Sequence, residues 1–370
     1  MAGIYIHIPF CRSRCIYCGF YSTTSLALRQ QYVDALCHEM EMRPSEAPVS
    51  TIYLGGGTPS QLSREQLRQI FDVLYIYNKV EQGAEVTIEC NPDDITPAFA
   101  EGLCTLPVNR VSMGVQTFND ERLLFLHRRH TAAQAVEAVG RLRKAGFTNI
   151  SIDLMYGFPE ETLEQWEKDI EAAIALNVEH LSAYCLMIEE GTPLYKWSMV
   201  NGQWSMDEEL ERQMYYTLID RLEATGYEHY ELSNFTRPGY RSRHNSSYWD
   251  GTPYIGLGAA AHSYDGNSRS WNISDIRQYI DGIGCNKRIF EAEELNDDTH
   301  YNDTVTVALR TREGLDLNKL SNRHRQYCLH EARHYISDGL LALSPDASHL
   351  HLTRQGLFVS DMVMSDLIII

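Results

Sequence analysis

Apolar and polar positions alternate along the first half of this chain in two rhythms that take turns. Short apolar runs at 3–8, 49–54, 85–90, 110–115, 150–155 and 180–186 read as strands. Between them lie stretches with helical spacing, at 28–42, 97–104, 132–145 and 162–176 and in a segment opened by Ser63. Ser63 is followed three residues later by Gln66, a capping-box signature, and then by the stripe Leu67, Ile70, Phe71 and Leu74. Ala135, Val139 and Leu142 share one helical side, as do Leu163, Trp166, Ile170 and Ile174. Six strand–helix units in a row predict a parallel sheet with right-handed crossovers.

A flat doubly wound sheet and a curved, partly closed barrel both satisfy that alternation. The positions that carry chemistry favour the barrel. A cysteine-bearing loop follows the first strand and Gly55-Gly56-Gly57 follows the second. Glu89 closes the third, Gln116 follows the fourth, Asp153 lies in the fifth, and Tyr184 and Glu189 fall near the end of the sixth. All would gather at the carboxyl-end rim of a barrel. A doubly wound sheet would collect them at one switch point.

The rhythm changes from about residue 201. A long amphipathic helix is expected over 206–225 and a strand over 228–235. The stretch 239–264 is rich in Gly, Ser, Tyr and His and reads as irregular. Helices return at 298–311 and 324–338, followed by a hairpin of 341–343 and 350–353. The expected organisation is a partial barrel over 1–235, an irregular segment over 236–287, and a small α+β module resembling a winged helix over 288–370.

Composition narrows the picture. The 370 residues suffice for one large α/β domain and a smaller one, and 44% hydrophobic content is ordinary for a globular fold. No run of eighteen apolar residues occurs, so no membrane span is expected. The opening Met1–Ile6 lacks the basic region and cleavage site of an export signal. Nine cysteines, an odd and mostly scattered set, suit a reducing compartment, and a cytoplasmic location is expected. A formal net charge of −18 opposes general binding to phosphate backbones, so no nucleic-acid partner is expected. A peripheral membrane contact and a homodimer stay open.

Three cysteines do cluster. Cys11, Cys15 and Cys18 have the spacing C-x-x-x-C-x-x-C on one short loop. Three thiolates can each hold one iron of a cubane cluster and leave the fourth iron without a protein ligand. A structural zinc site would want a fourth close ligand.

Together with Gly55-Gly56-Gly57-Thr58-Pro59, this loop resembles the radical S-adenosylmethionine (SAM) superfamily. The resemblance implies a [4Fe-4S] cluster whose open iron is chelated by the amino and carboxylate groups of SAM. It also implies an incomplete barrel of six βα units. Gly56, Gly57 and Thr58 would meet the amino group of SAM, since glycine lets a backbone approach closely. Tyr17 would pack on the adenine, with Tyr5 nearby on the first strand. Glu89 would accept from the ribose hydroxyls, and Gln116, Arg128 and Asp153 would meet other polar groups of SAM. An acidic residue in an apolar strand is costly unless partnered, which marks Asp153.

Within the superfamily the chain resembles the branch that holds the oxygen-independent coproporphyrinogen III dehydrogenases and the HemW-type heme chaperones. The dehydrogenases carry an extension ahead of the cysteine loop and a fourth cysteine two residues after the third. Here the first strand begins at residue 3, and Phe20 takes the cysteine's place. His244-Asn245-Ser246-Ser247-Tyr248-Trp249 matches the H-N-x-x-Y-W motif of the chaperones. It offers an imidazole for axial iron ligation, with Tyr248 and Trp249 to cover a porphyrin face. Arg237, Arg241 and Arg243 could meet propionates, and His262 is the alternative iron ligand. The function so implied is binding heme and handing it to an acceptor protein that the sequence does not identify. The alternative is decarboxylation of a porphyrinogen in porphyrin biosynthesis. One departure is Gly19, where relatives commonly carry an acidic residue after the third cysteine.

Overall fold

The computed structural model describes residues 2–201 and 205–370, which leaves Met1 of the opening segment outside the described residues. Six parallel strands stand in chain order: β1 (Ala2–Ile8), β2 (Val49–Gly56), β3 (Val80–Cys90), β4 (Arg110–Gln116), β5 (Ile150–Tyr156) and β6 (His180–Cys185). The crossovers carry α1 (Arg29–Met42), α2 (Arg64–Tyr77), α3 (Pro97–Leu103), α4 (Asp120–Phe125), α5 (Ala132–Lys144) and α6 (Leu163–Ala175). After β6 come α7 (Pro193–Val200) and α8 (Glu208–Ala224). This is the incomplete barrel that the placement of the chemistry-bearing residues and the family resemblance favoured over a doubly wound sheet.

The helix starts are local chemistry. Ser63 with Gln66, Thr131 with Gln134 and Thr162 with Gln165 each form a reciprocal capping box. The apolar stripes of the helices then pack on the outer face of the strands, where Val111, Met113 and Val115 of β4 are buried.

The sheet runs further than the six units. The segment expected as one strand over 228–235 is a hairpin of β7 (Glu228–Glu231) and β8 (Asn234–Thr236), added antiparallel beyond β6. The stretch 239–264, expected as irregular, holds α9 (Arg243–Trp249), β9 (Tyr254–Leu257) and β10 (His262–Tyr264). Strand β9 pairs parallel with β1, and β10, β11 (Ser268–Asn272) and β12 (Phe290–Glu294) continue antiparallel to give twelve strands. The reason is tertiary. An unpaired β1 would present open backbone groups, and β9 satisfies them although its own residues show no strand period.

Helix α10 (Ile276–Gly284) links β11 to β12. Strand β12, which fell inside the expected terminal module, pairs instead with β11 of the main sheet. Beyond it lie α11 (Asp297–Ala308), β13 (Leu315–Asp316), α12 (Asn322–Ser337), β14 (Leu341–Leu343), β15 (His349–Leu352), α13 (Arg354–Phe358) and α14 (Ser360–Leu367). Strands β13, β15 and β14 form a separate three-stranded antiparallel sheet. Its core is built on Tyr301, Val305, Leu315, Cys328, Leu350 and Leu367.

Glu39 ties the added strands to the barrel. Its carboxylate is fully buried and accepts from Arg43 at 2.7 Å, Asn272 Nδ2 at 2.8 Å, the Gly258 amide at 2.8 Å and the Tyr279 hydroxyl at 2.7 Å. One side chain of α1 thus anchors the β9–β10 turn, β11 and α10. Glu39→Ala would leave the buried Gly258 amide and Tyr279 hydroxyl without their acceptor and Arg43 without its carboxylate. We expect a loss of about 3–5 kcal/mol, read as a lower urea midpoint at unchanged slope.

Candidate functional site

Period-two alternation decides what the strands present to the barrel lumen. On β4, Val111, Met113 and Val115 face the helices, while Arg110, Ser112, Gly114 and Gln116 line a cavity. Glu89 of β3, Asp153 of β5, and Ser182 and Tyr184 of β6 line the same cavity, of about 490 Å³. Its rim carries Cys11, Cys15, Tyr17, Cys18, Gly56, Gly57, Thr58, Arg128 and Glu189. Its floor carries Arg110, at the amino end of β4, and Asn245 of α9. All the expected SAM residues except Tyr5 therefore meet around one space.

The cysteine loop is pinned at its stem and its middle. The Cys11 amide donates to Thr23 O at 3.0 Å, and the Thr23 amide to Pro9 O at 2.7 Å. The Ile16 amide donates to Leu126 O at 3.2 Å, and Ile16 O accepts from the Leu194 amide at 2.9 Å. All nine cysteines are free, and the three of the loop are half-buried. Burial raises the thiol pKa of Cys11 and Cys18, so metal would have to displace protons to bind there. Among the described residues no three His, Cys, Asp or Glu side chains converge as ligands of a single ion. A cube takes each sulfur on a different iron and needs no such convergence, so the loop suits a cluster.

Arg128 joins the loop to the sheet. Its Nη1 lies 3.6 Å from Cys15 Sγ, and its Nη2 donates to Asn91 Oδ1 at 2.7 Å and to Gly114 O at 2.6 Å. Thr58 Oγ1 lies 3.5 Å from Cys11 Sγ. Gln116 has φ +71°, and the β4–β5 register shifts between Gly114 and Gln116. A bulge with a left-handed residue re-aims a side chain, here at the end of β4.

The glycines have a reason that the sequence did not show. A Cβ on Gly56, which has φ +103°, would collide with the His7 ring, and one on Gly57 would lie 2.7 Å from the Pro9 carbonyl carbon. The chain's own loop stem, besides any ligand, demands glycine here. A similar fit meets the departure at Gly19. The Glu189 carboxylate stands where a Cβ at 19 would have to go, so an acidic group reaches this spot from the segment after β6.

Two carboxyls sit deep. Burial pushes Glu89 up to about 7, although its oxygens accept from the Tyr53 hydroxyl at 2.7 Å and the Gly56 amide at 3.2 Å. Burial pushes Asp153 up to about 6, against the opposing pull of Ser182 and Arg110.

The heme-motif residues are placed differently. His244 is fully buried beneath the lumen, with Nδ1 2.9 Å from Thr51 Oγ1 and Nε2 2.9 Å from the Tyr248 hydroxyl. Its ring stacks on Tyr53 at 5.1 Å, and burial lowers its pKa to about 3, so it is neutral. The α9 amides of Arg243 and His244 donate to Glu85 of β3 at 3.0 and 2.9 Å. Tyr5 does not line the cavity: it packs beside the stacked Tyr53 and His244 rings, and its hydroxyl meets His7 Nδ1 at 3.0 Å. Trp249 is half-buried on the far side of α9, with the Arg310 guanidinium 5.2 Å from its ring centroid. Arg237 lies over Tyr227, Arg241 pairs with Glu313 at 2.7 Å, and Arg243 donates to Gly83 O. These three cations are already engaged. His262 is exposed and stacks on Trp271 at 5.7 Å.

The lumen residues that sequence reasoning missed are Arg110, Ser112, Asn91, Ser182 and Asn245. A signal was present for two of them. In Arg110-Val111-Ser112-Met113-Gly114-Val115-Gln116 every second residue is polar or small, which marks an inward face.

A half-open parallel barrel with a three-cysteine loop at its rim defines a class, the Radical SAM superfamily, whose family profile matches residues 5–173. The HemN C-terminal domain matches residues 295–359. The chain is 36% identical over 322 residues to the heme chaperone HemW of Lactococcus lactis, covering 87% of this chain and 84% of that protein. It is 34% identical over 374 residues to the heme chaperone HemW of Mycobacterium tuberculosis, covering 99% of this chain and 94% of that one. The chain belongs to the HemW family of radical SAM proteins. Its fold is similar to that of coproporphyrinogen III oxidase (HemN) from Escherichia coli, at a TM-score of 0.82 and 22% identity over 99% of this chain and 90% of that one. Membership favours the chaperone reading over the porphyrinogen alternative and implies a [4Fe-4S] cluster and SAM. Among the described residues no helix is long and apolar enough to cross a membrane.

The raised carboxyls generate a pH prediction. Glu89 ordinarily titrates near 4.5 and here near 7, so the folded state holds its proton more tightly than the unfolded chain. That contribution is complete below about 4.5 and is lost as pH rises through about 7. Glu89→Gln should therefore flatten the decline of stability between these limits, checked by urea unfolding at several pH values.

Proposed function

We propose that this protein binds heme and passes it to an acceptor protein, on a scaffold that holds a [4Fe-4S] cluster and SAM. One observation carries the reading. The H-N-x-x-Y-W helix walls the floor of the same cavity whose rim bears the cysteine triad, through Asn245. The relatives named heme chaperones, aligned over most of the chain, support it.

Cys11, Cys15 and Cys18 would ligate three irons. Thr58, Glu89, Gln116, Arg128 and Asp153 would hold polar groups of SAM, Tyr17 its adenine, and Gly56 and Gly57 its amino end. Bound together, cluster and SAM would supply one-electron chemistry at the rim. Arg128 would steady both the loop and the ligand, since it already bridges Cys15 and β4. Tyr5 would act from behind Tyr53 rather than by contact.

For the heme iron, ligation by His244 requires the Tyr248 hydroxyl to release Nε2. A second reading has its own support, because His262 is exposed and stacked on an indole. Anaerobic heme titration separates them. If His244 is the ligand, Tyr248→Phe binds heme more tightly, by roughly fivefold for one hydrogen bond no longer broken, and His244→Ala loses the Soret shift. If His262 is the ligand, only His262→Ala loses it. A wild-type protein that shows no saturable Soret change would overturn the heme reading as a whole.

A further inference from the structure

Arg110 is a deeply buried guanidinium with two nitrogens unpartnered among the described residues. Its side chain is 1% exposed and lines the cavity floor. Its Nε and Nη1 have no hydrogen-bond partner among the described residues, and no carboxylate forms an ion pair with it. The other deep guanidinium groups are engaged: Arg122 with Glu161 at 2.8 Å, Arg43 with Glu39, and Arg128 with Asn91 and Gly114. A buried guanidinium has five donors and cannot shed its proton, so leaving donors of it unpaired is unfavourable unless a ligand answers them.

A second orphan lies beside it. Thr87 of β3, the register partner of Arg110, is fully buried, and its Oγ1 also has no partner among the described residues. Ser112, Ser182 and Asn245 line the same cavity as Arg110. The nearby histidines do not compete for an anion, because His180 and His244 are neutral and internally hydrogen-bonded. Of the buried carboxyls around Arg110, Glu85 is taken up by the α9 amides, and Glu89 and Asp153 stand further along their strands toward the rim, their pKa values raised by burial.

We propose that the floor of the lumen is an anion site, in which the Arg110 guanidinium, with Ser112 and Asn245, receives the carboxylate of a small organic acid or of a longer ligand reaching down from the rim. A planar carboxylate matches the guanidinium fork with two parallel hydrogen bonds. The site is separate from the cysteine loop, which lies at the opposite end of the cavity, and it does not depend on how heme is held.

The test uses the full-length, anaerobically reconstituted protein with sodium propionate as probe and propionamide as its uncharged counterpart. Wild type should show a saturable rise in Tm with propionate and none with propionamide, since a ligand bound only by the folded state stabilises it. Arg110→Met should lose that response. Its own Tm without propionate should equal or exceed that of wild type, because an unpaired buried charge has been removed. Arg110→Lys keeps the charge but not the fork and should weaken the apparent affinity by about tenfold or more, which decides the matter should the methionine variant not fold. Equal responses in wild type and the variants, or no response in wild type, would overturn the proposal and leave Arg110 as a through-space counter-charge to Glu89 and Asp153.

Discussion

Every feature of this molecule depends on one constraint: a half-closed parallel sheet has buried its polar face. The helices take the apolar side of each strand, so the other side turns a row of hydroxyls, carboxyls and a guanidinium into the lumen. Water cannot satisfy them there as it would at a surface, and each group must find a partner or a ligand. Tyr53 with Glu89, Ser151 with His180 and Thr51 with His244 are such solutions within the protein. Glu89 and Asp153 are partial ones, as their raised pKa values record.

The same constraint explains why helix α9 is where it is. The lumen would otherwise open at the amino ends of β1 to β3. Helix α9 closes it with a neutral imidazole, and Glu85 answers the free amides at the helix start. A motif that reads as a heme site is thus also a structural plug. The two roles are compatible only if Tyr248 can give up its bond to His244, or if the iron is taken elsewhere. At the other end, the cysteine loop is held by backbone bonds to segments after β4 and β6. A loop fixed from three sides keeps its sulfurs in place before any metal arrives, and that pre-organisation lowers the ordering cost of binding.

Much of this was legible in the chain itself. The six βα units, the capping box at Ser63, and the convergence of Cys11, Glu89, Gln116 and Asp153 on one cavity follow from local periods and from the strand-end rule of barrels. Arg110 and Ser112 are legible too, in the alternation of β4. The clash that forces glycine at 56 and 57 was not legible, since it depends on His7 and Pro9 lying across the turn.

The sequence by itself determined the class of fold, the cysteine triad and the family, because spacing along a chain dictates which side chains share a face or a loop. Tertiary structure alone decided the rest. It recruited β9 to the open edge of β1, turned a stretch without period into a helix under the barrel, and left Tyr5 behind the cavity wall. It also set His244 between two hydrogen bonds and left Arg110 Nε and Nη1 with none among the described residues. Partnership of buried polar groups is a matter of distance between segments far apart in the chain, and no local pattern encodes it.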